Sequence, residues 1–507
     1  MGTTPSKLLP LLAAAVLLSG CYLHRDPSAL QLTFAVAELP ESMDPHLNDR
    51  PAARYAHAAV FDALTTVDET GEVQPALATA WRPIGPTTWE FTLRQNVRFQ
   101  NGEEFTAHTV AFNVRRVLRR DFHSPVVKDL PTLTRANPRD TYTVLLSTRQ
   151  PDPILPRRLA ALYMVPADYL QRVGDQAFAR QPVGTGPWKV NAFTPGEQLV
   201  LEARKGSWRG PPQVRYLAFW RVPEAAGRLE ALTSGAAAIA LDLPPTAAAS
   251  LAAAGFQVRE TPLAVAKLIV LDTKSGEAPL HDVRVRQALN YAVDKEALLE
   301  DVVGIGHALY GRVVGKEANG YADQIRYPYP YDPQEARRLL AEAGYPNGFA
   351  LRIYYTLWPD ERERRELLAI ANDLAKVGIQ VTLQGNDRAI HLQRRLGGSL
   401  TPAYYDAFPY YPTLDASQVM DYFGLEKTEY LSPTYDNDDF EEIYKLTRTE
   451  TNPSIRRQAL QVSMGILAEA PPAIFLYQPV RVDGLHRDIT DFKASPDLLL
   501  DFQRLRR

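Results

Sequence analysis

The chain has 507 residues, 45% of them apolar and 23% charged, the balance of an ordinary globular protein rather than a disordered one. Its 56 Lys and Arg against 59 Asp and Glu leave a formal net charge of −3, which supplies no basic footprint for nucleic acid. A single cysteine excludes an intramolecular disulfide framework and any cysteine-based zinc cluster, and forty prolines favour a turn-rich α/β chain of several units over a helix bundle.

The first predicted element is an export signal. Lys7 supplies a small positive region, and residues 8–18 form an apolar stretch broken by Pro10. That stretch is too short to span a hydrocarbon core of roughly 30 Å and has the length of a signal-peptide core. It ends in Leu18-Ser19-Gly20-Cys21, which resembles the bacterial lipobox; cleavage before Cys21 would let its thiol carry lipid, with residues 1–20 removed. Several acyl chains anchor stably where one is marginal. No later segment approaches 18 consecutive apolar residues, so the expected product is exported, lipid-tethered and otherwise outside the bilayer.

Strands are expected at 31–37, 89–94 and 142–147, from alternation of β-branched and aromatic residues. Between them Thr106 opens a helix with Val110, Val114, Val117 and Leu118 on one face. Strands resume at 188–193, 198–203 and 214–220, and the Ala-rich stretch 224–255 reads as compact helices. Asp332 caps a helix with Pro333 at its first position and Glu335 completing a capping box, stopped by Gly344. Asn452-Pro453 opens another, carrying Ile455, Leu460, Ile466 and Leu467, and 473–482 is an apolar strand. The alternation predicts a mixed α/β chain with more than one lobe.

Catalytic signatures are absent: no Walker loop, no G-x-S-x-G elbow, no S-x-x-K, and no histidine with a second one within five positions. Gly304-Ile305-Gly306 reads as a turn after a helix, and the acids Asp438, Asp439, Glu441 and Glu442 as a helix first turn. No cofactor and no metal site is expected. A binding role is favoured over a reaction.

Six blocks in order resemble the peptide/nickel-type extracellular solute-binding proteins of ABC importers (family 5, the oligopeptide- and dipeptide-binding proteins). They are Ser42-Met43-Asp44-Pro45; Val60-Phe61-Asp62-Ala63-Leu64 with Pro75-Ala76-Leu77-Ala78 and Trp81; Phe91-Thr92-Leu93-Arg94 through Phe105-Thr106-Ala107; Pro182-Val183-Gly184-Thr185-Gly186-Pro187-Trp188; Asp282-Val283-Arg284-Val285-Arg286-Gln287-Ala288-Leu289; and Tyr331-Asp332-Pro333 through Ala343-Gly344. The resemblance implies an α/β, two-lobed type II periplasmic binding protein with an extra inserted subdomain. Lobe one would combine 22–62, 180–268 and 476–507, the insertion 63–179, and lobe two 269–475.

The resemblance also implies a ligand site. The family's loop Y-D-x-x-x-x-G-W-x-x-D ends in an aspartate that meets the ligand amine in peptide binders. Here Asp415 follows Tyr405-Asp406 at the same spacing, with Tyr411 and Pro412 in place of the Gly-Trp pair. Asp415 is the expected ligand contact, or else a helix cap, with Tyr410, Tyr411 and Thr413 on the same loop and Glu38 and Leu39 opposite in lobe one. Arg394 and Arg395 are candidates for a ligand carboxylate or a surface pair; Tyr321, Tyr327, Tyr329, Tyr331 and the aromatics through Tyr430 and Tyr435 serve the cleft or packing. The implied function is delivery of a peptide or peptide-like solute to a membrane permease, with metal chelates, haem and opine-like conjugates as rival ligands and a hydrolase or a signalling receptor as rival classes.

Overall fold

The computed structural model describes residues 31–274, 278–325, 328–358, 361–424 and 434–507, so the signal segment, Cys21, Tyr327 and Tyr430 lie outside the described residues. Among the described residues a twelve-stranded sheet runs through two lobes, with a four-stranded sheet in an inserted unit.

In lobe one, Gln31–Val36 lies parallel to both Tyr216–Arg221 and Ile239–Leu243. Gln198–Ala203 and Trp188–Thr194 extend this sheet antiparallel. Phe34, Phe219 and Trp188 are buried at its centre. In lobe two, Ala350–Thr356 lies parallel to Gln380–Asn386 and Ala403–Pro409, and Val265–Leu271 closes the sheet antiparallel. The inserted unit sets helix Ala107–Leu118 on the sheet formed by Ala78–Gly85, Thr88–Leu93, Thr143–Thr148 and Leu133–Pro138.

Strand Ala473–Leu485 joins the lobes. Its first residues pair with Val265–Leu271 and its last with Ile239–Leu243 and Gln257–Pro262. A second crossing lies between Gln257–Pro262 and Val265–Leu271, where Leu263 N–H donates to the Pro479 carbonyl (2.8 Å) and Ala264 N–H to that of Pro496 (2.8 Å). Strand pairing passes from one half of the long sheet to the other near 263–264 and 480. An apolar run of this kind looks the same on either side of its crossing.

The helix signals act locally as their chemistry requires, with two exceptions. Thr106 caps Ala107–Leu118, and Thr109 takes the reciprocal role by accepting the Thr106 N–H (3.2 Å). Asn452 accepts from Ser454 and Ile455 N–H at the start of Pro453–Glu469, with Leu460 and Leu467 fully buried; Ile455, however, stays 45% exposed. Asp332 caps Pro333–Glu342, but Glu335 turns forward to Arg338 (2.7 Å), since the Asp332 N–H already donates to the Tyr291 carbonyl. Within the Ala-rich stretch, helices Ala225–Thr233 and Ala247–Ala253 flank a strand, Ile239–Leu243. Pairing on both edges overrides the helix propensity of alanine there.

The family blocks are structural devices. Asp44 is fully buried and takes two hydrogen bonds from Arg116 (3.1 and 2.6 Å). Asp62 accepts from Thr185 (2.7 Å) and Trp208 (2.8 Å). Gly184 and Gly186 lie against the end of helix Pro51–Val60: a Cβ on Gly184 would stand 1.9 Å from the Val60 carbonyl oxygen, so no other residue fits. Arg286 holds three carbonyls, those of Pro471, Leu280 and His281.

Candidate functional site

The carboxyl ends of parallel strands are where open α/β sheets present ligand-binding loops. In lobe two those ends lead into Leu357-Trp358, Asp387-Arg388 and Tyr410-Tyr411; in lobe one Gln31–Val36 leads into Glu38-Leu39. The loop after Ala403–Pro409 meets lobe one directly, because the Arg54 guanidinium lies 5.0 Å from the centre of the Tyr411 ring.

Asp415 sits on this loop but turns inward. It is fully buried, and Arg456 grips both carboxylate oxygens (2.8 Å each). Asn319 donates to one oxygen (2.8 Å), Ser417 donates to the other through its hydroxyl (2.6 Å) and its N–H (3.1 Å), and Arg157 of the inserted unit stands 3.9 Å away. Burial by itself would raise the Asp415 pKa, but Arg456, Arg157 and Asn319 hold it well below the usual carboxylate range. A carboxylate with this many donors has its lone pairs occupied, so its place in the structure is that of an anchor for the loop and for the short helix Ser417–Met420.

Of the other expected contacts, Tyr410 and Thr413 are also internal. Tyr410 is fully buried, bonding Glu317 (2.5 Å), Gly315 N–H (3.0 Å) and Gln478 (3.1 Å). Thr413 bonds Gln418 (2.5 Å), and its carbonyl accepts from Arg157 across the lobe boundary (3.1 Å). Leu39 packs into the lobe one core, whereas Glu38 is exposed and its carbonyl accepts from the Tyr55 hydroxyl (3.1 Å). Tyr411 keeps part of its surface open. The loop therefore divides: Asp415, Tyr410 and Thr413 have their polar groups engaged inside the protein, while Tyr411 keeps an open face.

Around Tyr411 the structure gathers charges that no sequence motif marks. Arg54 is held by the side chain (3.2 Å) and backbone carbonyl (2.8 Å) of Asp497. Lys128 pairs with Asp49, yet half of its side-chain surface remains open to water. Asp129, half-buried beside it, has its pKa pushed up to about 6 by burial that Lys128 and Arg54 only partly offset. The charges on Arg54, Lys128, Asp129 and Asp49 all act on the Tyr411 hydroxyl. Further along lobe two, Arg395 pairs with Asp406 (2.8 Å) and lies 5.5 Å from the Tyr422 ring centre, while Arg394 bonds Asn386. Lys267 pairs with Glu363 (2.5 Å). Three chain segments thus bring both signs of charge to one water-reachable place. The sequence does not single out Arg54, Lys128 or Asp129, whose neighbours carry no pattern. Among the described residues no cluster of metal-ligating side chains occurs, and no helix is long and apolar enough to cross a membrane.

The profile of the bacterial extracellular solute-binding proteins, family 5, matches residues 72–427. The chain belongs to this family. It is the solute-binding component of an ABC importer, and its family is one of substrate-binding proteins rather than enzymes. The glutathione-binding protein GsiB of Salmonella paratyphi A is 28% identical over 369 residues, covering 71% of this chain and 70% of that protein. Two solved structures share the two-lobed fold. HbpA2 from Haemophilus parasuis superposes with a TM-score of 0.84 at 21% identity, covering 94% of this chain and 99% of the other. The periplasmic binding protein DppA from Helicobacter pylori, in complex with the peptide STSA, gives a TM-score of 0.75 at 22% identity, covering 94% and 97%.

Proposed function

We propose that this protein captures a short, zwitterionic peptide-like solute of the glutathione class between its lobes and delivers it to a membrane permease, tethered to the envelope through lipid on Cys21. The carrying observation is the mixed-charge cluster at Tyr411, in which Arg54 and Lys128 offer cations and Asp129 an anion across the lobe boundary. A solute with carboxylates and an ammonium group complements both signs, whereas an apolar or singly charged ligand leaves one sign desolvated. The glutathione-binding relative and the peptide held by a structural neighbour support the same class. Tyr411 and Glu38 are the proposed contacts from the family loop and from lobe one, with Asp415, Tyr410, Thr413 and Leu39 shaping the walls. Contacts that exist only when both lobes touch the solute shift the population toward the closed form.

Titration calorimetry of the purified protein with glutathione, a dipeptide such as Met-Leu, and nickel–histidine chelate tests this reading. Saturable one-site binding of glutathione or the dipeptide is the expected result. Binding of the chelate and neither peptide would contradict it.

A further inference from the structure

The proposed solute carries an ammonium group, and the loop aspartate at the expected spacing is already saturated by Arg456, Asn319 and Ser417. Glu38 apart, which is exposed and whose carboxylate pairs with no described residue, the other acids named above are occupied in the same way. Asp49 holds Lys128, Asp406 holds Arg395, Glu363 holds Lys267 and Asp497 holds Arg54. Asp129 differs. Among the described residues none donates a hydrogen bond to its carboxylate, although Arg158 donates to its backbone carbonyl (3.5 Å).

The chain around Asp129 is built to hold it still. It ends the short turn Pro125–Asp129, whose Val126 is buried with Leu130 in the core of the inserted unit. Ser124 starts the turn, donating to the His46 carbonyl in lobe one (2.7 Å) and accepting the Val126 N–H. Val126 and Leu130 turn inward, Lys128 reaches across to Asp49 just before the helix Pro51–Val60 that carries Arg54, and Asp129, next in the chain, keeps part of its surface open. The Asp129 carboxylate takes no donor among the described residues, so an incoming ammonium group can supply the hydrogen bonds that water would otherwise make.

We propose that Asp129 of the inserted unit receives the ammonium group of the bound solute, while Lys128 and Arg54 beside it take a carboxylate of the same molecule. This rests on the reading of the protein as a receptor for a short peptide-like solute and names how that solute is oriented. The amine seat thus moves from lobe two to the inserted unit.

The test is calorimetry on the full chain at pH 7.5 with two probe pairs, glutathione with N-acetylglutathione and Met-Leu with N-acetyl-Met-Leu. A charge-assisted hydrogen bond at a desolvated site corresponds to roughly 10- to 100-fold in affinity. N-acetylation is expected to weaken binding to the wild-type protein by that factor. Asp129→Asn is expected to weaken the free-amine probe equally while leaving the acetylated probe unchanged, and Asp129→Glu is expected to keep most of the affinity. Equal binding of acetylated and free probes by the wild type, which needs no variant, overturns the proposal; so does an Asp129→Asn loss that is the same for both probes. Binding of neither pair by the wild type overturns the functional reading, and the orientation with it.

Discussion

Two acidic positions meet the boundary between the lobes, and they are opposites. Asp415 is buried, pinned by Arg456 and pulled down in pKa; Asp129 is half-buried, its carboxylate accepts no hydrogen bond from a described residue, and it is pushed up. The first has the spacing that a family motif prescribes and the second has no motif. Spacing places a residue on a loop, while the donors around it decide whether it serves the fold or a ligand. A buried carboxylate whose lone pairs are filled is framework; one left short of donors beside open water is a candidate for a bound cation.

The largest effect expected to separate the two is on stability. Asp415→Ala leaves Arg456 buried without its partner, a change that costs about 3–5 kcal/mol. Urea unfolding is expected to show that loss, with solute affinity of the folded protein changed little. Unaltered stability combined with abolished binding would return Asp415 to the ligand.

The two positions also respond to pH with opposite sign. Asp415 has a lowered pKa, so its contribution is present above about pH 4, the unfolded value, and is lost as pH falls below that toward the folded value. Asp129 has a raised pKa, so the folded protein binds more protons between about 4 and 6 and its stability declines as pH rises through that window. The groups facing Asp129 are Lys128, Arg54, Asp49, Arg158 and Tyr411. Asp129→Asn is therefore expected to melt higher than the wild type at pH 7.5 and the same at pH 4 when no solute is present. A lower melting temperature at pH 7.5 would show that Asp129 is stabilised internally.

A smaller effect is expected at the contact that joins the inserted unit to lobe two. Arg157 donates to the Gly71 carbonyl in its own unit and to the Thr413 carbonyl across the boundary (3.1 Å). Arg157→Met is expected to weaken solute binding by a few fold and to raise the radius of gyration of the unliganded protein in small-angle scattering. An unchanged radius would place closure elsewhere. Least of all, the exposed pair of Arg457 with Glu72 (2.9 Å) is worth about 0–1 kcal/mol, and its removal is expected to matter only at low salt.

Much of the frame was legible because its signals are local. The caps at Thr106, Asp332 and Asn452 are satisfied within three residues of themselves, and alternating strands such as Thr143–Thr148 carry their own pattern. The strand Ile239–Leu243 was not, because its partners are Gln31–Val36 and Ala473–Leu485, far away in the chain. The site follows the same rule. Asp415 could be placed on its loop from Asp406, but its partner Arg456 lies on a later helix, Pro453–Glu469, and nothing near Asp415 announces it. Arg54, Lys128 and Asp129 come together only through the packing of two lobes and an insertion, and each by itself reads as a solvated charge.

The most direct measurement is a crystal structure of the protein grown with glutathione. Density is expected between the lobes at Tyr411, with the ligand ammonium on Asp129, a carboxylate near Arg54 and Lys128, and the Asp415–Arg456 pair intact. A ligand amine bound to Asp415 with Arg456 displaced, or density away from the interlobe cleft, would contradict it.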